Sequence, residues 1–141
     1  MVSTDLNFEH GGLRIEVFRT ESKATILWSG VSDARNPGVL LNGVLQRMLE
    51  ALDGCKVTVD FRRLQYMNSS TVPPIINLIK RLNARGIASL VLFSDCDWQR
   101  TQLRCMQTIA RTLPHVAVEG RSASSSVQSM PVPAGSGEPQ R

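Results

Sequence analysis

The chain of 141 residues is poor in the residues on which several common classes of protein depend. Aromatic residues make up only 5% of it, so aliphatic side chains must fill most of a core. The three cysteines form no C-x-x-C pair, and their odd number favours free thiols in a reducing compartment. No apolar run approaches the length of a membrane span, and the first residues lack the apolar segment of a secretory signal. We therefore expect a cytoplasmic protein with no membrane partner.

The sequence also has little of the chemistry that is typical of enzymes and nucleic-acid-binding proteins. His10 and His115 have no Cys, Asp or Glu at metal-ligand spacing, and neither a Walker loop nor a G-x-G-x-x-G motif is present. The formal net charge of +4 is spread along the chain without a Lys/Arg run or a basic-aromatic stripe. We therefore expect a non-enzymatic protein with no metal, no cofactor and no nucleic-acid partner.

Hydrophobic periodicity predicts a single α/β domain. Leu13, Ile15 and Val17 alternate with polar residues, and "ATILW" follows after a short polar break, which is typical of a hairpin of two strands. Three further strands, "KVTVDF", "ASLVLF" and "HVAVE", alternate with helical patterns. The order ββαβαβαβ predicts a mixed sheet of about five strands with helices packed against it. The predicted helices cover residues 38–53, 72–85 and 98–113.

The composition divides the chain into three segments. Residues 1–12 are polar, end in two glycines and are expected to be a flexible lead-in. Residues 13–120 contain every predicted strand and helix and form the expected domain. Residues 121–141 are rich in Ser, Pro, Gly and Gln, and they have too few apolar side chains to order themselves. We expect this last segment to be a disordered tail.

The stretch "QYMNSSTVPP" places three hydroxyl residues between a strand and a helix. Proline is tolerated in the first helical turn, so Pro73 and Pro74 locate that turn and make Thr71 or Ser70 the candidate N-cap. Ser69 then lies before the helix, at the carboxyl end of a strand, where open α/β sheets usually place functional groups. The hydroxyl residues can be helix caps, or Ser69 can be a modification site.

A phosphate at this junction would suit the electrostatics of the predicted helix. On Ser69 it would add about 1.5 to 2 negative charges near the positive end of the helix dipole. Pro73 and Pro74, however, remove two backbone donors that would otherwise bind an anion. We therefore expect a phosphate here to act on a docked partner rather than to order the domain.

The element order, together with "VTVDFRRLQYMNSS" running from strand into helix, resembles the STAS domain of bacterial anti-sigma factor antagonists over residues 13–120. The family motif Asp-Ser-Ser-Gly stands here as Asn68-Ser69-Ser70-Thr71. The resemblance implies a partner switch in transcription regulation. The unphosphorylated protein would bind a GHKL-type serine kinase or anti-sigma factor, phosphorylation of the first Ser would release it, and a PP2C-type phosphatase would reset it. When the family motif is matched to this sequence, the resemblance implies that Ser69 is the phosphoacceptor, with Ser70 and Thr71 as alternatives.

Two residues depart from the family motif. Asn68 replaces the Asp, which removes a negative charge beside the acceptor, and Thr71 replaces the Gly. Asn also occurs at this position in STAS-like regulators of outputs other than sigma factors. The expected contact surface combines the motif, the solvent side of the helix 72–85 and the loop 29–37. Its expected partner-binding residues are Asn68, Ser69, Ser70, Thr71, Asn77, Lys80 and Arg81.

Other functions stay open beside this one. A constitutive scaffold would bind a partner through the same surface without phosphorylation, because the two departures can mean a lost switch. A small-ligand or nucleotide-binding domain would use the amino end of the helix 72–85 as an anion site. A receiver domain with Asp60 as phosphoacceptor is rejected, because only Glu21 follows the first strand and no Lys follows residue 80. Asp60 is instead expected to be a polar residue near a strand end.

Overall fold

The computed structural model describes residues 7–121. The predicted tail, apart from Arg121, and the first six residues of the predicted lead-in lie outside this range. None of the helices within residues 7–121 is both long enough and apolar enough to cross a membrane.

Residues 7–121 form six strands and three helices in alternating order after an initial run of strands. In chain order they are β1 (Phe8–His10), β2 (Leu13–Arg19), β3 (Lys23–Ser32), α1 (Pro37–Ala51), β4 (Lys56–Met67), α2 (Val72–Ala84), β5 (Ser89–Phe93), α3 (Asp97–Ala110) and β6 (Val116–Gly120).

The strands lie in the sheet in the same order as in the chain, from β1 to β6. β1, β2 and β3 are antiparallel neighbours, whereas β3, β4, β5 and β6 run parallel to one another. Each parallel pair is joined through a helix, as parallel strands require a crossover connection. The predicted α/β class with a mixed sheet is confirmed, with one strand more than expected.

The additional strand, β1, lies inside the predicted lead-in 1–12. Phe8 pairs with Ile15, and the chain then turns back through Gly11, whose φ is +60°. Because three residues are too few to establish an alternating pattern, periodicity alone cannot detect such a strand. The prediction of a flexible lead-in is therefore wrong for Phe8–His10, which forms one edge strand of the sheet.

β3 and β4 are longer than "ATILW" and "KVTVDF" predict, because they continue to pair beyond both runs. Ser29 pairs with Arg63, and Ser32 pairs with Met67, with register shifts between. The backbone of β3 requires a glycine at position 30. Its φ is +84°, and a Cβ there would overlap the carbonyl oxygen of Gly12. The irregular register interrupts the alternation that defines a strand in sequence. The predicted loop 29–37 is therefore strand over its first four residues.

The core lies between one face of the sheet and the three helices. It includes three aromatic rings on parallel strands, of which Trp28 and Phe61 are tilted with centroids 5.1 Å apart, while Phe61 and Phe93 stack at 5.0 Å. The helices contribute aliphatic side chains to the same cluster, including Leu45 of α1 and Leu78 of α2. Burying these side chains fixes β3, β4 and β5 relative to α1 and α2, and so fixes the position of the β4–α2 junction.

Candidate functional site

The strand that leads to the β4–α2 junction extends beyond its neighbour β5 and is supported there by one side chain. Pairing with β5 ends at Asp60, and the Nε2 atom of Gln99 donates to the carbonyl oxygens of Phe61 and Leu64 at 2.8 and 2.9 Å. The Oε1 atom of Gln99 accepts from the backbone N–H of Ser94 at 2.7 Å. Gln99 is fully buried, so these bonds replace the ladder that β5 no longer provides.

The predicted start of the second helix is confirmed, and a short turn precedes it. Ser69–Thr71 form one 3₁₀ turn, and α2 begins at Val72. The N–H of Thr71 donates to the carbonyl oxygen of Asn68 at 3.1 Å, and the N–H of Val72 donates to that of Ser69. Pro73 and Pro74 therefore fall in the first turn of α2, where no intrahelical acceptor exists for a backbone donor.

Thr71 occupies the N-cap position but does not cap the helix with its side chain. Its hydroxyl donates instead to Oδ1 of Asn68 at 2.8 Å and lies 2.8 Å from the hydroxyl of Ser32. Because the Thr71 proton is directed at Asn68, Ser32 is the donor in the second contact. The amide nitrogen of Asn68 donates to the carbonyl oxygen of Ala34 at 2.9 Å. Side-chain capping by Thr71 is thus replaced by a hydrogen-bond network that links β3, β4 and α2.

This network, formed by Ser32, Ala34, Asn68 and Thr71, explains both departures from the family motif together. Asn68 uses its amide as donor and acceptor at once, which a carboxylate cannot do. Thr71 supplies the hydroxyl that Asn68 accepts from, and a glycine would supply none. A backbone bond from Asn68 N–H to the carbonyl oxygen of Ser32 at 2.9 Å adds a further link. The junction is therefore fixed by its own side chains.

The three hydroxyl residues of the motif differ sharply in exposure. Thr71 is 0% exposed, whereas the side chains of Ser69 and Ser70 lie on the surface. Neither serine hydroxyl forms a hydrogen bond with any residue that the structure describes, and both lie outside the network. A folded domain therefore presents two free hydroxyls at this turn and keeps the third inaccessible.

The remaining predicted contact residues lie on the exposed side of α2. Asn77, Lys80 and Arg81 are exposed, and Pro73 connects them to the turn that carries the two serines. Arg81 donates to the side-chain oxygen of Gln46 on α1 at 2.6 Å, which holds its guanidinium against α1. At the rise of an α-helix, Lys80 lies about 12 Å along the axis from the start of α2. The structure thus brings the predicted residues onto one surface, except the buried Thr71.

An apolar residue on α1 belongs to this surface and was not among the predicted contacts. Val39 is 83% exposed, in the first turn of α1. The amino ends of α1 and α2 are close, because a Cβ at Gly38 would lie 3.9 Å from the Pro74 ring. Val39 lies off the apolar stripe of the helix predicted at 38–53, and that offset is the sequence signal that marks it. We call the following residues the junction surface: Val39, Asn68, Ser69, Ser70, Asn77, Lys80 and Arg81.

Asp60 lies in the interior of β4 and not near a strand end as predicted. Its two carboxylate oxygens accept from Nε and Nη2 of Arg62 at 3.0 and 2.9 Å, and the Arg62 side chain is 4% exposed. A carboxylate held in a buried bidentate ion pair is not free to receive a phosphoryl group. Among residues 7–121, no group of three or more His, Cys, Asp and Glu side chains is arranged to hold a metal ion.

A scan against models of protein families and a search of curated proteins find no match to the sequence. The fold is similar to the 2.25 Å crystal structure of an uncharacterised protein of the DUF3478 family, with a SpoIIAA-like fold, from Shewanella loihica PV-4. The likeness covers 84% of this chain and 93% of the other, at a TM-score of 0.53 and 10% sequence identity. The chain therefore has a SpoIIAA-like fold, and the STAS-like architecture expected from the sequence is confirmed. At this identity the likeness concerns the fold alone.

Proposed function

We propose that the protein is a non-enzymatic regulatory module that binds a protein partner through the junction surface and is switched by phosphorylation of Ser69. The observation that carries the proposal is that the residues of the motif have two separate roles, one structural and one exposed to solvent. Asn68 and Thr71 hold the turn in place, while the Ser69 hydroxyl is exposed and takes no part in the network. A kinase can thus modify Ser69 without breaking an interaction that the fold needs.

The charge of the junction surface indicates which form of the protein would bind the partner. Lys80 and Arg81 are exposed on α2 and favour a partner with acidic side chains. A phosphate on Ser69 adds about 1.5 to 2 negative charges beside the same surface, so it repels such a partner while the helix dipole accommodates it. Val39 supplies an exposed apolar contact on the α1 side of the surface. The unphosphorylated protein would therefore bind, and the phosphorylated protein would release.

The resemblance to STAS domains suggests the proteins that would operate this switch. They are a GHKL-type serine kinase or anti-sigma factor as the bound partner, and a PP2C-type phosphatase that removes the phosphate. Ser70 is the alternative acceptor, since it is as accessible as Ser69. Thr71 is a poor acceptor in the folded domain because it is completely buried.

A constitutive scaffold is the second candidate, and the hydrogen-bond network favours it. The bonds that join Ser32, Ala34, Asn68 and Thr71 fix the turn whether or not Ser69 is modified. Such a preorganised surface can hold a partner permanently at little cost in conformational entropy. The two candidates differ only in whether a phosphate ever reaches the turn and changes the affinity.

The experiment is phosphosite mapping by mass spectrometry on the tagged full chain purified from its own cells, with co-purifying proteins identified in the same run. Phosphate on Ser69, with a serine kinase or PP2C-type phosphatase among the partners, supports the switch. An unmodified turn under several growth conditions, with a stable partner still bound, rejects the switch and leaves the scaffold.

Matched variants then test which serine matters. Affinity for the co-purified partner is measured by calorimetry for Ser69→Ala, Ser69→Asp, Ser70→Ala and Ser70→Asp. We expect Ser69→Asp to weaken binding by about tenfold or more, corresponding to about 1.4 kcal/mol, and Ser69→Ala to bind like the unmodified protein. Equal weakening by both Asp substitutions would show a general effect of charge rather than a specific acceptor.

A further inference from the structure

An open groove, separate from the junction surface, lies at the opposite end of the parallel strands from the junction. It is a cavity of about 510 Å³ on the sheet face that the helices do not cover, at the amino ends of β3, β4, β5 and β6. This volume falls within the roughly 300–1,000 Å³ of small-molecule sites. No part of the junction surface contributes to its walls.

The register of the strands determines the floor of the cavity. Thr25 pairs with Thr58, Thr58 with Leu90, and Leu90 with Ala117, so these four side chains form one row across four strands. Three strand spacings make the row about 14 Å long. The two threonines and Leu90 are half-buried, line the cavity and each carry methyl groups. The floor therefore suits a flat apolar body of one or two rings.

The rim of the cavity is positively charged. Lys23 and Lys56 pair directly in the register of β3 and β4, and both line the cavity. Like charges directly opposite each other on neighbouring strands are destabilising. Neither ammonium group forms an ion pair within residues 7–121, although Glu21 is only two positions from Lys23 in the chain. An anion between the two ammonium groups would relieve their repulsion.

Of the carboxylates on this face, Glu16 on β2, opposite Leu27 and two rows from the lysines, forms no ion pair within residues 7–121, whereas the others are paired. Asp60, one row further along β4 on the same side of the strand, is neutralised by Arg62. Glu119, on β6, pairs with Arg121. The two lysines are therefore the charges at this end of the face that are left to attract a ligand, and His115 adds a further polar group at the rim.

We propose that this cavity binds a small aromatic or alicyclic carboxylate, with its ring on the Thr25–Ala117 row and its carboxylate between Lys23 and Lys56. The volume of about 510 Å³ suits a small molecule, and the paired ammonium groups favour an anion over a neutral or cationic ligand. The site is independent of the proposed switch, because Ser69 lies at the carboxyl end of the strands.

The probe is 2-naphthoate, titrated into the ¹⁵N-labelled full chain and followed by NMR, with the neutral 2-naphthamide as the matched ligand. We expect shifts at the amides of Thr25, Thr58 and Leu90, and tighter binding of the acid than of the amide. Lys23→Gln combined with Lys56→Gln should weaken naphthoate about thirtyfold at low salt, because attraction between charges about 4 Å apart is lost twice, and should leave naphthamide unchanged. Lys80→Gln combined with Arg81→Gln is the control, with the same change in net charge on α2.

Several results would overturn the proposal. Equal affinities for the acid and the amide would remove the role of the lysines. Equal weakening in both double variants would reduce the effect to net charge. Shifts confined to other parts of the sheet, or no binding of either compound at millimolar concentration, would remove the site. Ser69→Ala should not change the naphthoate affinity, so this test fails or succeeds separately from that of the switch.

Discussion

The side-chain amide nitrogen of Asn68 lies 2.9 Å from the carbonyl oxygen of Ala34, and the nitrogen is the donor. This bond joins the end of β4 to the segment that follows β3. It depends on the one atom in which Asn differs from the Asp of the family motif. The departure at this position is therefore a structural requirement of this chain, and it is coupled to the presence of Thr71.

Replacing Asn68→Asp should lower stability at neutral pH. A carboxylate would face the Ala34 carbonyl oxygen without a proton to donate, at a cost of about 1–2 kcal/mol for a half-buried group. The positive end of the α2 dipole offsets about 0.3–1 kcal/mol of this cost, so the expected net loss is about 1 kcal/mol at the middle of both ranges. Urea unfolding measures the effect, with the exposed Asn77→Asp on α2 as control.

The same variant should respond to acid. In acid the introduced carboxyl gains a proton and can donate to Ala34, so the deficit relative to the parent protein should shrink at low pH and grow as the pH rises. A deficit that is the same at pH 4 and pH 7, or a variant as stable as the parent at pH 7, would contradict the assigned bond.

The hydroxyls of Ser32 and Thr71 should be energetically coupled. Thr71→Val keeps the shape but leaves the Ser32 proton and the Asn68 oxygen without partners, and should cost about 1–3 kcal/mol. Adding Ser32→Ala removes one of these orphaned groups, so the double variant should be less destabilised than the sum of the singles by about 0.5–1.5 kcal/mol. Unfolding of all four proteins measures the coupling, and strict additivity would show that the two hydroxyls do not interact.

Ser69 and Ser70 should make almost no contribution to stability. Neither side chain caps α2 or joins the network, so Ser69→Ala and Ser70→Ala should each change the free energy of unfolding by less than about 0.5 kcal/mol, as is usual at exposed sites. Ser69→Asp should be equally stable or slightly more stable, because it lies near the positive end of α2. A loss of about 1 kcal/mol or more in Ser69→Ala would instead show that this hydroxyl acts as a cap.

Gln99→Glu should be among the most destabilising conservative changes in the domain. The substitution keeps the acceptor for Ser94 but removes the donors to Phe61 and Leu64, which leaves two buried carbonyl groups beside a buried carboxylate. We expect a loss of at least about 2 kcal/mol in thermal or urea unfolding. Gln102→Glu, one turn further along α3 and half-buried, is the matched control and should have little effect.

The regular parts of the fold could be predicted because their apolar residues repeat at fixed spacing. Leu13, Ile15 and Val17 alternate, and all three are buried on the core face of β2 as that alternation requires. The region in which the helix starts, at Val72, was predictable because two consecutive prolines are tolerated only in the first turn of a helix. Local stereochemistry is sufficient for such predictions.

Other parts depend on contacts that no local pattern contains. In the sequence, Thr71 has the features of an N-cap. Its hydrogen bond with Ser32 could not be predicted, because Ser32 is 39 positions away in the chain. Gln99 reads as an ordinary polar residue in the first turn of a helix, because its acceptors lie on β4. The exposure of Val39 depends on how α1 packs against the sheet. These residues acquire their roles only through tertiary structure.

The sequential order of the strands has a consequence for how the chain folds. Every strand pairs only with the strands immediately before and after it in the chain, so none of the pairings has to wait for a distant segment. As the chain leaves the ribosome, the hairpin of β2 and β3 can form first and then serve as a template to which β4, β5 and β6 are added in turn. The junction, which is held by β3, β4 and α2, would then be complete before the last strand of the sheet is synthesised.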